Sequence, residues 1–223
     1  MTRAESYTAP VEDYLKAIYD LERAGGPAGT NEIAQRLSIA PASVSGMVRR
    51  LAEHGLLAHE RYRGVRLTEA GRRVALRTLR RHRVIEAYLT QALGYEWDTV
   101  HQEAERLEHA ASDELIDRMA AAIGEPSTDP HGAPIPTREG EIEERTLLPI
   151  SDLAPRQRGR VVRVSDHDPA RLRYLAELGL RPGAEVECVE RAPFGGPIRL
   201  QVADIERIIG PQLAASVLVE RAD

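Results

Sequence analysis

Residues 30–68 read TNEIAQRLSIAPASVSGMVRRLAEHGLLAHERYRGVRLT, and this stretch decides how the chain folds. Ile33, Ala34 and Leu37 recur at helical spacing, so Asn31 to Leu37 is a short helix with Thr30 as its expected cap. Ser38-Ile39-Ala40 is a brief turn. Pro41 opens a longer helix to His54, with Val44, Val48 and Leu51 as its apolar stripe and Gly55 as its stop. Leu56-Leu57-Ala58-His59-Glu60 and Val65-Arg66-Leu67-Thr68 are strand-like, and Arg61-Tyr62-Arg63-Gly64 joins them into a hairpin with a basic tip. Helix, turn, helix and basic hairpin are the parts of a winged helix-turn-helix, whose second helix offers its N-terminal residues to base edges in the major groove.

Those residues are Ala40, Pro41, Ala42, Ser43, Ser45 and Gly46. They are small, so base readout rests on serine hydroxyls and apolar contact with thymine methyls. Arg49 and Arg50, one turn on, can reach phosphates, while Arg61, Arg63 and Arg66 around Tyr62 are placed for backbone or minor groove. Charge supports a nucleic-acid partner once it is divided along the chain. The formal net charge is −5, yet residues 33–83 set twelve arginines against Glu53, Glu60 and Glu69, a net of +9. Residues 84–145 set four arginines against fifteen acids, a net of −11. The first block attracts an anionic polymer and the second attracts cations, unless both are merely solvated faces.

Outward from this stretch, Tyr14, Leu15, Ile18, Tyr19 and Leu21 mark a helix from Val11 to Ala24, broken by Gly25-Gly26-Pro27-Ala28-Gly29. Helical spacing resumes from Glu69 to about Leu93, and Glu96 to Ile123 carries two more helices broken near Ser112. Residues 125–146 are rich in proline, glycine and charge and read as a linker. Beyond them Val161–Val164, Glu185–Val189 and Ile198–Val202 alternate as strands, with turns at Arg181-Pro182-Gly183 and Gly195-Gly196-Pro197 and a helix from about Pro169 to Leu178. The expected fold is mainly α with a small β part. Its divisions are a winged helix-turn-helix over 1–70, a helical domain over 71–124, the linker, and a small SH3-like β-barrel over 147–223. The 223 residues, 42% hydrophobic and 29% charged, suit one large or two small globular domains. No apolar run approaches the roughly 20 residues of a membrane span, and the polar start lacks a signal core. Cys188 is the single cysteine, so no internal disulfide is expected and a reducing cytoplasm is the expected location.

The acidic block holds a second constellation. In Val100-His101-Gln102-Glu103-Ala104-Glu105-Arg106-Leu107-Glu108-His109, a continuous helix would put Glu105, Glu108 and His109 at i, i+3 and i+4, with His101 one turn earlier. His82 and Glu86 form an i, i+4 pair on the preceding long helix, and Asp13 lies early in the first helix. A lone histidine on a helix is ordinarily a surface or core residue. Two imidazole–carboxylate pairs on adjacent helices instead suggest a divalent metal, and carboxylates with imidazole and no thiolate favour manganese or ferrous iron over zinc or copper. A catalytic di-iron centre would need Glu-x-x-His pairs on two helices, but Arg106 stands three residues before His109 and no second motif exists. Walker-type, Gly-x-Ser-x-Gly and His-Glu-x-x-His motifs are absent too.

The order of winged helix, metal-rich helices, proline-rich linker and small barrel resembles the diphtheria-toxin-repressor family of metalloregulators over nearly the whole chain. The motifs that carry it are Glu12-Asp13-Tyr14-Leu15-Lys16-Ala17-Ile18-Tyr19, the segment from Pro41 to Gly55, Arg81-His82-Arg83 with Glu86, and the run from His101 to His109. The terminal module resembles the ferrous-transport-A-like barrel. The resemblance implies two metal sites per subunit: a primary one of Asp13, Glu105, Glu108 and His109, and an ancillary one of His82, Glu86 and His101. Iron-responsive members carry Met and Cys where this chain has Asp13 and Glu105, whereas manganese-responsive members carry Asp and Glu. That implies Mn²⁺, with Fe²⁺ as the alternative.

Departures from the pattern accompany the resemblance. Lys16 stands where some manganese-type members place a Glu ligand, which tells against a closely spaced two-metal cluster. The Glu and Gln that the barrel of iron-type members donates correspond to Asp168 and Arg171; Asp168 can coordinate or cap the helix before Pro169, and Arg171 has no lone pair to offer. His167 is a candidate substitute. Asp129 and Ala133 stand where an anion site needs Ser and Asn. The implied protein is a homodimeric, metal-activated regulator, expected as a repressor of metal-uptake genes, that binds a double-stranded operator and has no small-molecule substrate and no membrane partner. Metal bridging Asp13 to the later helices would fix the reading heads; without it the carboxylates would repel. The rival classes are a carboxylate-helix metalloenzyme and an accessory protein of metal transport.

Overall fold

A computed structural model of the chain describes residues 7–60, 63–143, 145–165 and 168–222. Arg61 and Tyr62 of the wing tip, and His167, lie outside the described residues. In chain order the elements are α1 (Ala9–Gly25), α2 (Thr30–Leu37), α3 (Pro41–Glu53), β1 (Leu57–Glu60), β2 (Gly64–Leu67), α4 (Glu69–Leu93), α5 (Val100–Leu107) and α6 (Asp113–Ala122). They are followed by β3 (Leu148–Pro149), β4 (Arg158–Val164), α7 (Pro169–Glu177), β5 (Glu185–Arg191), β6 (Ile198–Val202), β7 (Ile205–Ile209), α8 (Pro211–Ala215) and β8 (Val217–Ala222). The mainly α architecture with a small β part is the one expected from the sequence. The chain forms two compact units: Met1–His82 with Glu108–Ala111 and Pro136–Glu141, and Arg83–Leu107 with Ser112–Ile135 and Ile142–Asp223.

In the first unit the apolar stripes named above face inward: Leu15, Ile18 and Tyr19 of α1, Ile33 and Ala34 of α2, and Val44, Val48 and Leu51 of α3 are buried. The cap of α2 is Gly29 rather than Thr30. Glu32, at the third helical position, reaches back to accept the Gly29 N–H at 2.9 Å, which moves the helix start one residue earlier. β1 and β2 pair antiparallel from Leu57↔Leu67 to Glu60↔Gly64. The base of this wing is tied to the rest of the unit. Ala28 and Val65 exchange backbone hydrogen bonds of 2.9 and 3.0 Å, and the Leu67 N–H donates to Glu22 Oε1 at 2.8 Å. Gly64 has φ +119°, and a Cβ there would collide with the Ala28 carbonyl, so only glycine fits. With the stripe of α3 buried, Ala40, Pro41, Ala42, Ser43, Ser45, Gly46, Arg49 and Arg50 are all exposed.

The second unit is built on a six-stranded antiparallel sheet in the order β3-β8-β4-β5-β6-β7. Its core gathers Leu153, Leu172, Leu175, Leu180, Cys188 and Leu200 with Trp97 from the α4–α5 connection. Two features differ from expectation. First, α5 ends at Leu107, and Ser112 caps α6 by accepting the Leu115 N–H at 3.2 Å. Glu108 and His109 therefore lie in the intervening turn, not on one helical face with Glu105. Second, part of the proline-rich stretch is packed structure. Thr128 and Pro134 form a β-bridge, the Val164 N–H donates to the His131 carbonyl at 2.9 Å, and Asp129, His131 and Ala133 are buried.

Candidate metal centre

In the first unit three segments converge. Helix α1 supplies Glu12, Asp13 and Lys16, α4 supplies Arg81 and His82, and the turn after α5 supplies Glu108 and His109. One oxygen or nitrogen from each of Asp13, Glu108 and His109 lies within 4.8 Å of the others, which is the spacing of ligands around one ion. Glu12, which sequence reasoning did not single out, orients this set. Its Oε2 is 2.6 Å from His109 Nδ1, and Arg81 lies 3.5 Å from its other oxygen. A neutral His109 that donates Nδ1–H to Glu12 keeps its Nε2 lone pair toward Asp13 Oδ1 at 2.9 Å and Glu108 Oε1 at 3.5 Å.

Glu108 is fully buried and doubly held: His82 Nδ1 lies 2.5 Å from Oε2, and the Lys16 ammonium donates to Oε1 at 2.6 Å. Burial pushes the Glu108 carboxyl up, but the His82 hydrogen bond and the Lys16 charge outweigh it and hold the group below its ordinary value. For His109 burial favours the neutral ring. The Glu12 hydrogen bond and the negative charges of Asp13, Glu108 and Glu12 outweigh burial and raise its pKa. A proton on His109 and a divalent ion are thus alternative ways to neutralise the same carboxylates.

The second unit holds a separate group. Glu86 of α4 meets Asp129 and His131 from the proline–glycine turn, all three buried, with donor atoms within 4.8 Å of one another. His131 donates Nε2–H to the Trp97 carbonyl at 2.7 Å, which leaves Nδ1 facing Glu86 Oε2 at 3.7 Å and Asp129 Oδ1 at 4.0 Å. Asp129 Oδ1 accepts the backbone N–H groups of His131 and Ala133 at 2.8 and 3.0 Å, and Arg83 Nε lies 3.7 Å from Oδ2. His101 Nδ1 is 3.1 Å from Glu86 Oε1, and its Nε2 is 3.7 Å from Glu105 Oε1. Asp129 and His131 were missed because their turn has linker composition. The Asp-x-His spacing in Asp129-Pro130-His131-Gly132 was the available signal.

The remaining sequence candidates fall as follows. Asp168 is exposed and caps α7, its Oδ1 accepting the Ala170 and Arg171 N–H groups at 3.0 and 3.3 Å; it belongs to neither donor group. Capping before Pro169 was the alternative use of this side chain. Arg63 is exposed, 3.9 Å from Glu60, and Arg66 donates to Glu60 at 2.7 Å. Both donor groups consist of carboxylate oxygens and imidazole nitrogens, and Cys188 is buried in the sheet core. This chemistry fits a hard or borderline divalent ion.

Residues 6–65 match the iron dependent repressor N-terminal DNA binding domain, 68–137 the iron dependent repressor metal binding and dimerisation domain, and 148–221 the FeoA domain. The iron-dependent repressor IdeR of Mycobacterium tuberculosis is 33% identical across 94% of this chain and 96% of its own length. The diphtheria toxin repressor of Corynebacterium diphtheriae is 31% identical across 81% of this chain and 84% of its own. Among solved structures, a manganese-dependent transcriptional repressor in complex with manganese superposes with a TM-score of 0.89 at 36% identity, covering 95% of this chain and 100% of that one. The manganese regulator SloR gives 0.80 at 29%, covering 95% and 98%. Three of these four relatives are named as repressors, and none is named as an enzyme. The chain belongs to the diphtheria-toxin-repressor family and is a metal-dependent transcriptional repressor with a C-terminal FeoA domain.

Proposed function

We propose that Mn²⁺ is the activating ion, bound by Asp13, Glu108 and His109, and that the loaded homodimer binds a double-stranded operator of metal-uptake genes. The thiolate-free donor set is the observation that carries this reading. Fe²⁺ is the second reading, favoured by the iron-dependent relatives. Asp13, on the first helix of the DNA-binding segment, would hold the ion together with Glu108 and His109 of the metal-binding segment, and the ion would supply the divalent charge that offsets their carboxylates. Glu12 holds the His109 ring and His82 holds Glu108, which orients these donors before an ion arrives, while the Lys16 ammonium occupies the place beside Glu108 Oε1 that an ion would compete for. Tighter metal binding in the DNA-competent arrangement is then the whole coupling, about 1–3 kcal/mol in typical allosteric proteins. A second ion is assigned to Glu86, Asp129 and His131. Glu105 enters as a ligand through the family resemblance.

On DNA, Ser43 and Ser45 with Ala40, Pro41 and Ala42 read bases, while Arg49, Arg50, Arg61 and Arg63 contact backbone. Leu93, Tyr95, Leu107 and Leu115 are exposed within the segment that matches a dimerisation domain, and they supply apolar surface for a homodimer. The domain division 1–70, 71–124, 125–146 and 147–223 is retained, with residues 127–135 serving the second donor group as well as joining domains. The test is to select a duplex from a random pool with the Mn²⁺-loaded protein and measure its anisotropy with Mn²⁺, Fe²⁺ or chelator. The tightest binding is expected with Mn²⁺. Tighter binding with Fe²⁺ at equal free metal would transfer the assignment to iron.

A further inference from the structure

We infer that Trp97 is a positioning residue for the second metal group: it couples the seating of His131 to the core of the FeoA-domain sheet. The inference rests on the reading of Glu86, Asp129 and His131 as a metal site. Trp97 touches His131 in two ways. Its carbonyl accepts the Nε2–H of His131 at 2.7 Å, and its indole stacks on the imidazole with centroids 5.8 Å apart and planes 25° from parallel. The first contact fixes the tautomer and commits Nδ1 to face Glu86 and Asp129; the second fixes the ring plane.

Trp97 is itself held from the sheet side. It is 5% exposed and belongs to the buried cluster that includes Leu172, Leu175, Leu180 and Cys188. The Arg181 guanidinium lies 4.7 Å from the indole centroid, within cation–π range. The next residue, Asp98, is also buried and accepts a hydrogen bond from Arg173 of α7 at 2.9 Å. The connection between α4 and α5 is therefore pinned by one aromatic ring to the sheet core and by one ion pair to α7. The carbonyl that orients a metal-facing histidine sits in that pinned segment. A shift of the indole moves the carbonyl with it and turns Nδ1 away from the carboxylates. Conversely, an ion pulling on Nδ1 is felt at the indole.

Trp97 is the only tryptophan in the chain, so its fluorescence reports on this contact without labelling. The experiment titrates the full-length protein with Zn²⁺ as a diamagnetic probe, following Trp97 emission, and counts bound ions by calorimetry with Mn²⁺. The wild type is expected to bind a second ion with a saturable emission change, and His131→Gln to lose both while retaining the first ion. Trp97→Phe and Arg181→Gln are each expected to weaken the second ion about tenfold, the low end of what outer contacts to metal ligands contribute, with the first ion unchanged. Arg181→Gln leaves the core aromatic in place and so keeps the test usable if Trp97→Phe unfolds. Second-ion affinity unchanged in both variants, or an emission change that survives His131→Gln, would overturn the role of Trp97. Binding of a single ion, unaffected by His131→Gln, would instead overturn the second site itself, and the inference with it.

Discussion

Lys16 places a fixed positive charge beside the donors assigned to the first ion, and replacing it with methionine should make metal binding tighter. Its Nζ lies 2.6 Å from Glu108 Oε1, with the lysine side chain 13% exposed and the glutamate fully buried. A divalent ion about 2 Å from the same carboxylate would sit on the order of 5 Å from the ammonium. A unit charge and a double charge at about 5 Å repel by roughly 1.7 kcal/mol at the dielectric constant of water, and by more in the partly buried setting. Movement of the flexible lysine away from the ion relieves part of the excess, so the water value is the safer guide. Lys16→Met is thus expected to tighten Mn²⁺ about tenfold or more. The same change removes a charge-assisted hydrogen bond from a buried carboxylate, and the protein without metal should lose about 2 kcal/mol of stability. Competition calorimetry against a chelator reads the first effect and urea unfolding in chelator reads the second. Weaker Mn²⁺ binding by a folded Lys16→Met protein would refute the reasoning, because it would make the lysine a support for the ion rather than its competitor.

Metal binding should fall as pH is lowered through the raised pKa of His109, since the ligand must be neutral. The affinity–pH slope should approach one proton released per ion, and a flat profile would remove His109 from the donor set. Without metal the sign reverses: a raised histidine pKa stabilises the fold below the ordinary value of about 6.5, and that contribution disappears as pH rises through the raised value. Arg49→Ala should weaken operator binding for all sequences alike and reduce the salt slope by about 0.9. A change in base preference would place Arg49 at a base edge instead. Glu105→Ala should lower metal-stimulated DNA binding while leaving weak, salt-sensitive binding intact; loss of folding would point to a structural role.

The DNA-binding helices were legible because their signal is local. Val44, Val48 and Leu51 define one face of one helix, and Pro41 and Gly55 bound it. The long helix α4, read as Glu69 to about Leu93, was legible for the same reason. The donor residues were partly legible by type, but Glu108 and His109 were not legible for the geometric reason that first grouped them with Glu105. The structure brings Glu108 and His109 to Asp13 through a turn that meets α1, after the helix has ended at Leu107. Asp129 and His131 lay hidden because a residue pair more than 40 positions from Glu86 leaves no periodic trace, and its proline and glycine read as punctuation. Asp168 shows the opposite case. A carboxylate just ahead of Pro169 has a local use as a helix cap, and the backbone N–H groups of α7 take it. Strands β7 and β8 lacked clear alternation, since β7 exposes Ile205 and Ile208 at the sheet edge.

The most direct test of metal control through the Asp13, Glu108 and His109 group is DNA-binding anisotropy of Glu108→Gln beside the wild type, each with Mn²⁺ and with chelator. The substitution keeps the size of the buried side chain and removes the charge that meets the ion. Expected is a wild-type affinity that rises at least fivefold with Mn²⁺, the low end of typical allosteric coupling, and a variant that binds equally weakly in both conditions. A folded Glu108→Gln protein that kept the full Mn²⁺ gain would contradict the assignment.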